Sequence, residues 1–247
     1  MTTETSPTAT PLSGKTAIVT GASAGIGHAT ALALAHQGAH LVVTARRAER
    51  LDALCTQIRS LGGRAVFLAG DAAEEQTAKH TVQLALSTFG RLDILINNAG
   101  AGNYKPLVNT SVEEYDHLMD ANMKSSFLFS RHATPLMIAQ KSGIQVFISS
   151  IAGLQGYAGE AVYCATKFAQ VGFAQALDAE LRPHNINVSI ICPGGTKTEF
   201  ALGKGRTEDY IRNSHMMDPK DVAQTIVFAC MQPPNTRISQ MTVRHMG

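Results

Sequence analysis

The chain has 247 residues, of which 45% are hydrophobic and 16% charged, and a formal net charge of +2. That length buries a core without disulfide or metal support, and the composition excludes a disordered chain. The near balance of 21 Lys+Arg against 19 Asp+Glu gives no case for a nucleic-acid or anionic-membrane partner. No apolar run reaches the roughly 18–20 residues that span a bilayer. The four cysteines, Cys55, Cys164, Cys192 and Cys230, form no C-x-x-C pair and no cluster with histidine. This pattern excludes a zinc site or disulfide framework and fits a reducing, cytoplasmic location.

Residues 1–11 are rich in Thr, Ser and Pro and lack a basic-then-apolar leader, so a disordered tail is expected there. From residue 12 to 247, strand-like and helix-like patterns alternate. Strands are predicted at Lys15–Thr20, His40–Ala45, Ala65–Ala69, Leu92–Ile96, Ile144–Ser149, Ile186–Cys192 and Ile238–Val243. Helices are predicted at Ile26–Gln37, Arg47–Ser60, Glu74–Thr88, Ser111–Ala139, Glu160–Leu181 and Asp218–Met231. Apolar strands separated by helices imply βαβ crossovers and a parallel sheet covered on both faces. No linker divides the chain. The expected fold is therefore α/β: one doubly wound Rossmann-type domain with a seven-stranded parallel sheet.

The turn Thr20-Gly21-Ala22-Ser23-Ala24-Gly25-Ile26-Gly27 lies between the first strand and the first helix. Glycines let the backbone turn sharply and approach a ligand, and the following helix aims free N–H groups at it. A pyrophosphate suits that place; a tight turn without a ligand is the plainer alternative. After the second strand stand Arg46 and Arg47, with no acid before Glu49. Arginine matches a ribose 2′-phosphate where an acid would match a 2′-hydroxyl, which favours NADP(H) over NAD(H). Two solvated surface arginines would read the same way. Asp71 follows the third strand, where it either meets an adenine amino group or caps the next helix. Asn97, Asn98, Ala99 and Gly100 follow the fourth strand, either lining the groove and tying strand ends together or forming a plain turn.

Tyr163 and Lys167 are four residues apart in a helical pattern, so they share one face. A phenol is a poor base near neutrality, and a nearby ammonium lowers its pKa. Ser150 ends the fifth strand, where ligands bind in such sheets. Asn122 is a poor helix former inside a long helical stretch, which points to a polar kink, a water anchor or an exposed surface position.

Taken together, TGASAGIG at Thr20–Gly27, NNAG at Asn97–Gly100, Asn122, Ser150, YCATK at Tyr163–Lys167 and PGGTKT at Pro193–Thr198 make the chain resemble the compact short-chain dehydrogenases/reductases. The resemblance runs from about Leu12 to Gly247. It implies a catalytic set of Asn122, Ser150, Tyr163 and Lys167. In that set Tyr163 is the acid/base and Ser150 polarises the carbonyl. Lys167 lowers the Tyr163 pKa and holds the nicotinamide ribose, and Asn122 anchors a water. It places cofactor contacts at Gly21, Ser23, Gly25, Ile26, Gly27, Asn98, Ala99, Gly100, Pro193, Gly194, Thr196 and Thr198, besides Arg46, Arg47 and Asp71. It calls for no metal. It implies a homotetramer or dimer paired through the helices around Ser111–Ala139 and Glu160–Leu181.

Substrate choice is expected in Ala101–Leu107, Ile151–Gly159 and Thr196–Met217, with Tyr104, Leu154, Tyr157, Phe200, Leu202, Tyr210 and Met216–Met217. Lys197, Lys204, Arg206 and Arg212 are set against Glu199, Glu208 and Asp209. The chain end resembles the subgroup of NADP-dependent 3-hydroxy acid dehydrogenases and broad carbonyl reductases. The expected activity is thus NADP(H)-dependent reduction of a small ketone, aldehyde or 3-oxo acid, or oxidation of the corresponding alcohol. A 3-oxoacyl carrier-protein reductase is the alternative, set lower because Gln140–Ile144 lacks a basic cluster. A nucleotide sensor without catalysis is the other; a sensor has no need of a proton donor.

Overall fold

The computed structural model describes residues 10–246. Of the expected tail, residues 1–9 lie outside the described part. Leu12 is already buried, and its amide donates to the Gln37 carbonyl at 2.9 Å.

Seven strands form one parallel sheet: β1 Thr16–Thr20, β2 His40–Ala45, β3 Ala65–Ala69, β4 Ile94–Asn97, β5 Gly143–Ile148, β6 Ile186–Pro193 and β7 Gln240–Val243. Their spatial order is β3-β2-β1-β4-β5-β6-β7. In β1 (TAIVT) and β4 (ILIN) every residue is buried, as a sheet covered on both faces requires. The helices are α1 Gly25–His36, α2 Ala48–Ser60, α3 Glu75–Phe89, α4 Val112–Met119, α5 Ser125–Gln140, α6 Ala161–Leu181, α7 Glu208–Asn213 and α8 Pro219–Cys230. One face of the sheet packs Leu34, Leu51, Leu54, Val222 and Ile226 from α1, α2 and α8. The other packs Val82, Phe129, Met137, Val171 and Leu177 from α3, α5 and α6. The order in which successive strands are added reverses between β1 and β4, which opens a crevice at their carboxyl ends.

The strands and most helices fall within a residue or two of the expected bounds. Two differences matter. The stretch expected as one helix over Ser111–Ala139 is α4 and α5 joined by a π-turn, Asp120–Lys124, in which Asn122 is fully buried. Such insertions break the regular ladder and tend to mark functional sites. The short α7 was not expected; Thr207 starts it by accepting from the Tyr210 amide at 3.1 Å.

Candidate active site

The crevice at the carboxyl end of the sheet is a cleft of about 1030 Å³. Its floor begins at the glycine turn. Gly25 has φ of +55°, and a side chain there would press on Thr198 at 2.9 Å. Gly27 sits within the first turn of α1, where a Cβ would collide with the Asn98 side-chain amide and the Gly21 carbonyl. The α1 N-cap, Ala24, supplies no side-chain acceptor, and the first turn carries no acid. The first-turn N–H groups of α1 are therefore free of a side-chain cap where Ala24, Gly25 and Ile26 line the cleft.

The strand ends are locked together from β4. The Asn98 side-chain amide donates to the Thr20 carbonyl at 2.8 Å, and the Asn98 and Ala99 amides both donate to Thr20 Oγ1 at 2.9 Å. Thr20, the first residue of the TGASAGIG motif, ends β1 immediately before the first glycine. Asp71 accepts from the Ala73 amide at 2.9 Å, a turn that leads into α3, while also lining the cleft.

Beyond β2, the two arginines separate. Arg46 is exposed on the cleft wall with no ion-pair partner among the described residues. Arg47 gives Nε and Nη2 to Ser23 Oγ at 3.2 and 3.0 Å and Nη1 to Glu199 at 2.8 Å. Glu199 also accepts from Arg50 at 2.7 Å, and these two guanidinium groups hold its carboxyl below the usual range. Glu199 is thus more than a charge balancing the bases near the substrate: it ties Arg47 and Arg50 together.

At the other end, Ser150 follows β5 and Tyr163 and Lys167 project from α6. The Tyr163 phenol is buried under the rings of Tyr104 and Phe200, whose centres lie 5.5 and 5.8 Å away. Burial pushes this phenol well above its ordinary value, Tyr104 adds to the rise, the Ser150 hydroxyl opposes it, and Glu160 and Arg206 act in opposite senses. Lys167 is also buried; its Nζ donates to the Ile148 carbonyl at 3.0 Å and to Gln170 at 2.8 Å, and burial lowers its pKa to about 7. Burial is the largest influence on both groups, and with nothing else in the cleft the phenol keeps its proton.

Asn122 stands behind the cleft. Its Oδ1 accepts from the Ala101 amide at 2.7 Å, and its Nδ2 donates to the Ala101 carbonyl at 3.0 Å and to Thr166 Oγ1 at 2.8 Å. It clamps the segment after β4 to α6. Of the expected site residues, Gly27, Asn97 and Asn122 stand behind the cleft and all the others line it. Tyr104, Tyr157, Phe200, Leu202, Tyr210 and Met216 line the substrate end, whereas Leu107, Leu154 and Met217 do not. Lys204 and Arg206 face the cleft; Arg212 pairs with Asp209 at 3.5 Å. Glu160, His117 and His215 line it as well and were not anticipated.

A dinucleotide-sized cleft at the switch of a doubly wound sheet, with an uncapped helix start at one end and a Ser–Tyr–Lys group at the other, defines a nucleotide-dependent oxidoreductase site. A family model described as short chain dehydrogenase matches residues 15–209. The chain is 34% identical over 236 residues to a 3-oxoacyl-[acyl-carrier-protein] reductase of Synechocystis, covering 94% of this chain and 96% of that one. It is also 34% identical over 239 residues to a glycine betaine reductase of Emericella nidulans, of whose length it spans only 19%. A metagenomic short-chain oxidoreductase solved in complex with NADP shares 34% identity and superposes with a TM-score of 0.83 over 96% of this chain and 99% of that one. The chain belongs to the short-chain dehydrogenase/reductase family.

Among the described residues, no group of three or more His, Cys, Asp or Glu side chains is gathered for a metal ion, and no helix is long and apolar enough to cross a membrane.

Proposed function

We propose that this protein is an NADP(H)-dependent oxidoreductase that reduces a small ketone, aldehyde or 3-oxo acid, or oxidises the corresponding alcohol, with Tyr163 as acid/base. The observation that carries the reading is a buried phenol that shares with Ser150 and Lys167 the wall of a cleft that also contains the free start of α1. The residues fit the cofactor. The α1 first turn would hold the pyrophosphate, Arg46 and Arg47 the 2′-phosphate, and Lys167 the nicotinamide ribose. When bound, the nicotinamide donates or accepts the hydride. Ser150 holds the carbonyl oxygen, and Tyr163 delivers a proton to it as negative charge grows there. Tyr104 and Phe200 exclude water from the phenol. The NADP found in the metagenomic relative supports the choice of nucleotide.

The test is a screen of small carbonyls with NADPH and NADH. Tyr163→Phe is expected to lower kcat by about 10²–10⁴-fold while NADPH still binds; equal turnover removes Tyr163 as the acid. Arg46→Asp is expected to shift preference toward NADH; an unchanged ratio moves the phosphate elsewhere. The Synechocystis relative favours a second reading, reduction of a 3-oxoacyl group on a carrier protein. Gln140–Ile144 offers only Lys141 as a base for docking, so free and carrier-bound 3-oxoacyl substrates should be compared directly. We also propose a homo-oligomer paired through α5 and α6, where Phe127 and Phe168 remain 42% and 46% exposed.

A further inference from the structure

Gln170 lies three residues after Lys167 on α6 and is fully buried. Its Oε1 accepts from Lys167 Nζ at 2.8 Å. Its Nε2 donates to the Asn122 backbone carbonyl and to Ser126 Oγ, each at 2.9 Å. The Asn122 carbonyl also accepts from Ser126 Oγ at 3.0 Å, so both of its lone pairs are taken. The π-turn presents that carbonyl to side chains of α5 and α6.

We infer that Gln170 is a positioning residue for Lys167: its carboxamide is a fixed bridge from Lys167 Nζ to the Asn122 carbonyl, and it aims the ammonium at the cleft beside Tyr163. The inference rests on the role given to Lys167 above. Lys167 Nζ has three N–H groups. Ile148 and Gln170 hold two of them, leaving the third for the cleft that Lys167 lines. A carboxamide does this without exchanging with solvent. It also supplies an uncharged acceptor that favours the ammonium form, against burial that disfavours it.

The other groups around Lys167 leave that acceptor without a rival. On α6 the neighbour is Tyr163, which keeps its proton. On β6 it is Cys192, whose thiol burial pushes up to about 11. β5 and the turn Ile151–Gly153 carry no titratable side chain. On the π-turn Asp120 and Lys124 pair with each other at 3.4 Å. On α4, Glu114 is held by Lys105 at 2.6 Å, Glu113 and Asp116 are the remaining acids, and His117 reaches the cleft. Arg182 and His184 lie beyond the far end of α6, where Arg182 pairs with Asp178.

A bridge and a packing role predict opposite orders of damage. Gln170→Met keeps the volume but removes every hydrogen bond and leaves no room for water. Gln170→Ala opens a space lined by Lys167 Nζ, the Asn122 carbonyl and Ser126 Oγ, enough polar partners for a water to restore the link. The Lys167 titration is followed by the 13Cε resonance of labelled lysine, assigned by its loss in Lys167→Met, and kcat and KM are measured with NADPH and a turned-over carbonyl. Gln170→Met is expected to lower the Lys167 midpoint by roughly one unit and kcat by about tenfold at unchanged carbonyl KM, with Gln170→Ala closer to wild type in both. An unchanged midpoint in Gln170→Met, or a Met variant more active than the Ala variant, overturns the bridge. If Gln170→Met does not fold, Gln170→Glu takes its place: a carboxylate facing the ammonium raises the midpoint, and a midpoint left at the wild-type value overturns the bridge. The titration needs no turnover. A protein that reduces no carbonyl therefore sinks the proposed function, while the midpoints still decide the bridge.

Discussion

The Lys167 ammonium lies 5.8 Å from the centre of the Tyr163 ring, one helical turn along α6, yet it hydrogen-bonds Ile148 and Gln170 rather than the phenol. Proximity on a helix face does not fix which group sets a pKa. Both side chains are buried, and each favours its uncharged form for that reason. At neutral pH the phenol holds the proton that reduction of a carbonyl needs. Lys167, with its pKa lowered to about 7, is an ammonium below that value and increasingly neutral above it. Because kcat/KM reports free-enzyme ionisations, kcat/KM for NADPH is expected to fall as pH rises through this region, and Lys167→Met is expected to remove that inflection. A profile that runs flat through neutrality in the wild type would place the ionisation elsewhere.

Glu199 sits between Arg47 and Arg50, at 2.8 and 2.7 Å, and joins the loop after β6 to the turn after β2. A 2′-phosphate arriving at Arg47 meets this carboxylate as a competitor. All three side chains are about half exposed, so the competition is worth little, on the order of 0.2–1 kcal/mol. Glu199→Gln is expected to tighten NADPH binding about two- to fivefold with NADH nearly unchanged, as measured by fluorescence titration. Equal tightening of both nucleotides would show that Glu199 acts on the cleft in general and not on the phosphate.

The strands were legible because each is a short run rich in β-branched or apolar residues, bounded by turns and buried on both faces. Tyr163 and Lys167 were legible because the i, i+4 spacing fixes a shared face whatever the rest of the fold does. The π-turn was not. It exists because the Asn122 side chain reaches back to Ala101 and across to Thr166, contacts 21 and 44 positions away. Only the presence of a poor helix former hinted at it. The capture of Arg47 by Glu199 spans 152 positions, and no local pattern announces it. Gln170 did leave a signal: a polar side chain three residues after Lys167, in a stretch of α6 that is otherwise mostly apolar.

Phe200 covers one side of the Tyr163 ring, and Tyr104 covers another. Arg206 lies 5.2 Å from the Tyr104 ring centre and 6.0 Å from that of Phe200, closing the group from the solvent side. Burial is the largest cause of the raised Tyr163 pKa, so admitting water should lower it. Phe200→Ala is expected to move the alkaline rise of alcohol oxidation to lower pH and to raise KM for apolar ketones. The pH dependence of oxidation in wild type and variant checks this; an unmoved profile would mean that Tyr104 alone keeps the phenol dry.

Asp93 lies at the opposite, amino-terminal end of the sheet. It is buried just before β4, where it accepts from Arg91 Nε and Nη2 at 2.7 and 2.6 Å, from Lys15 Nζ at 3.2 Å and from the Thr16 amide at 3.0 Å. Burial opposes its charge, but these partners overcome it and leave its pKa below the ordinary value. A carboxyl whose folded pKa is depressed adds stability above its unfolded pKa and loses it as pH falls through the folded value. Breaking a buried pair costs about 3–5 kcal/mol, and the exposure of Arg91 and Lys15 brings the figure for Asp93→Asn down to about 2–3 kcal/mol at neutral pH. The gap between wild type and variant should close as the pH drops into the range where Asp93 is protonated. Urea unfolding at pH 7 and in acid measures both, and a gap that persists in acid would assign the loss to packing rather than to charge.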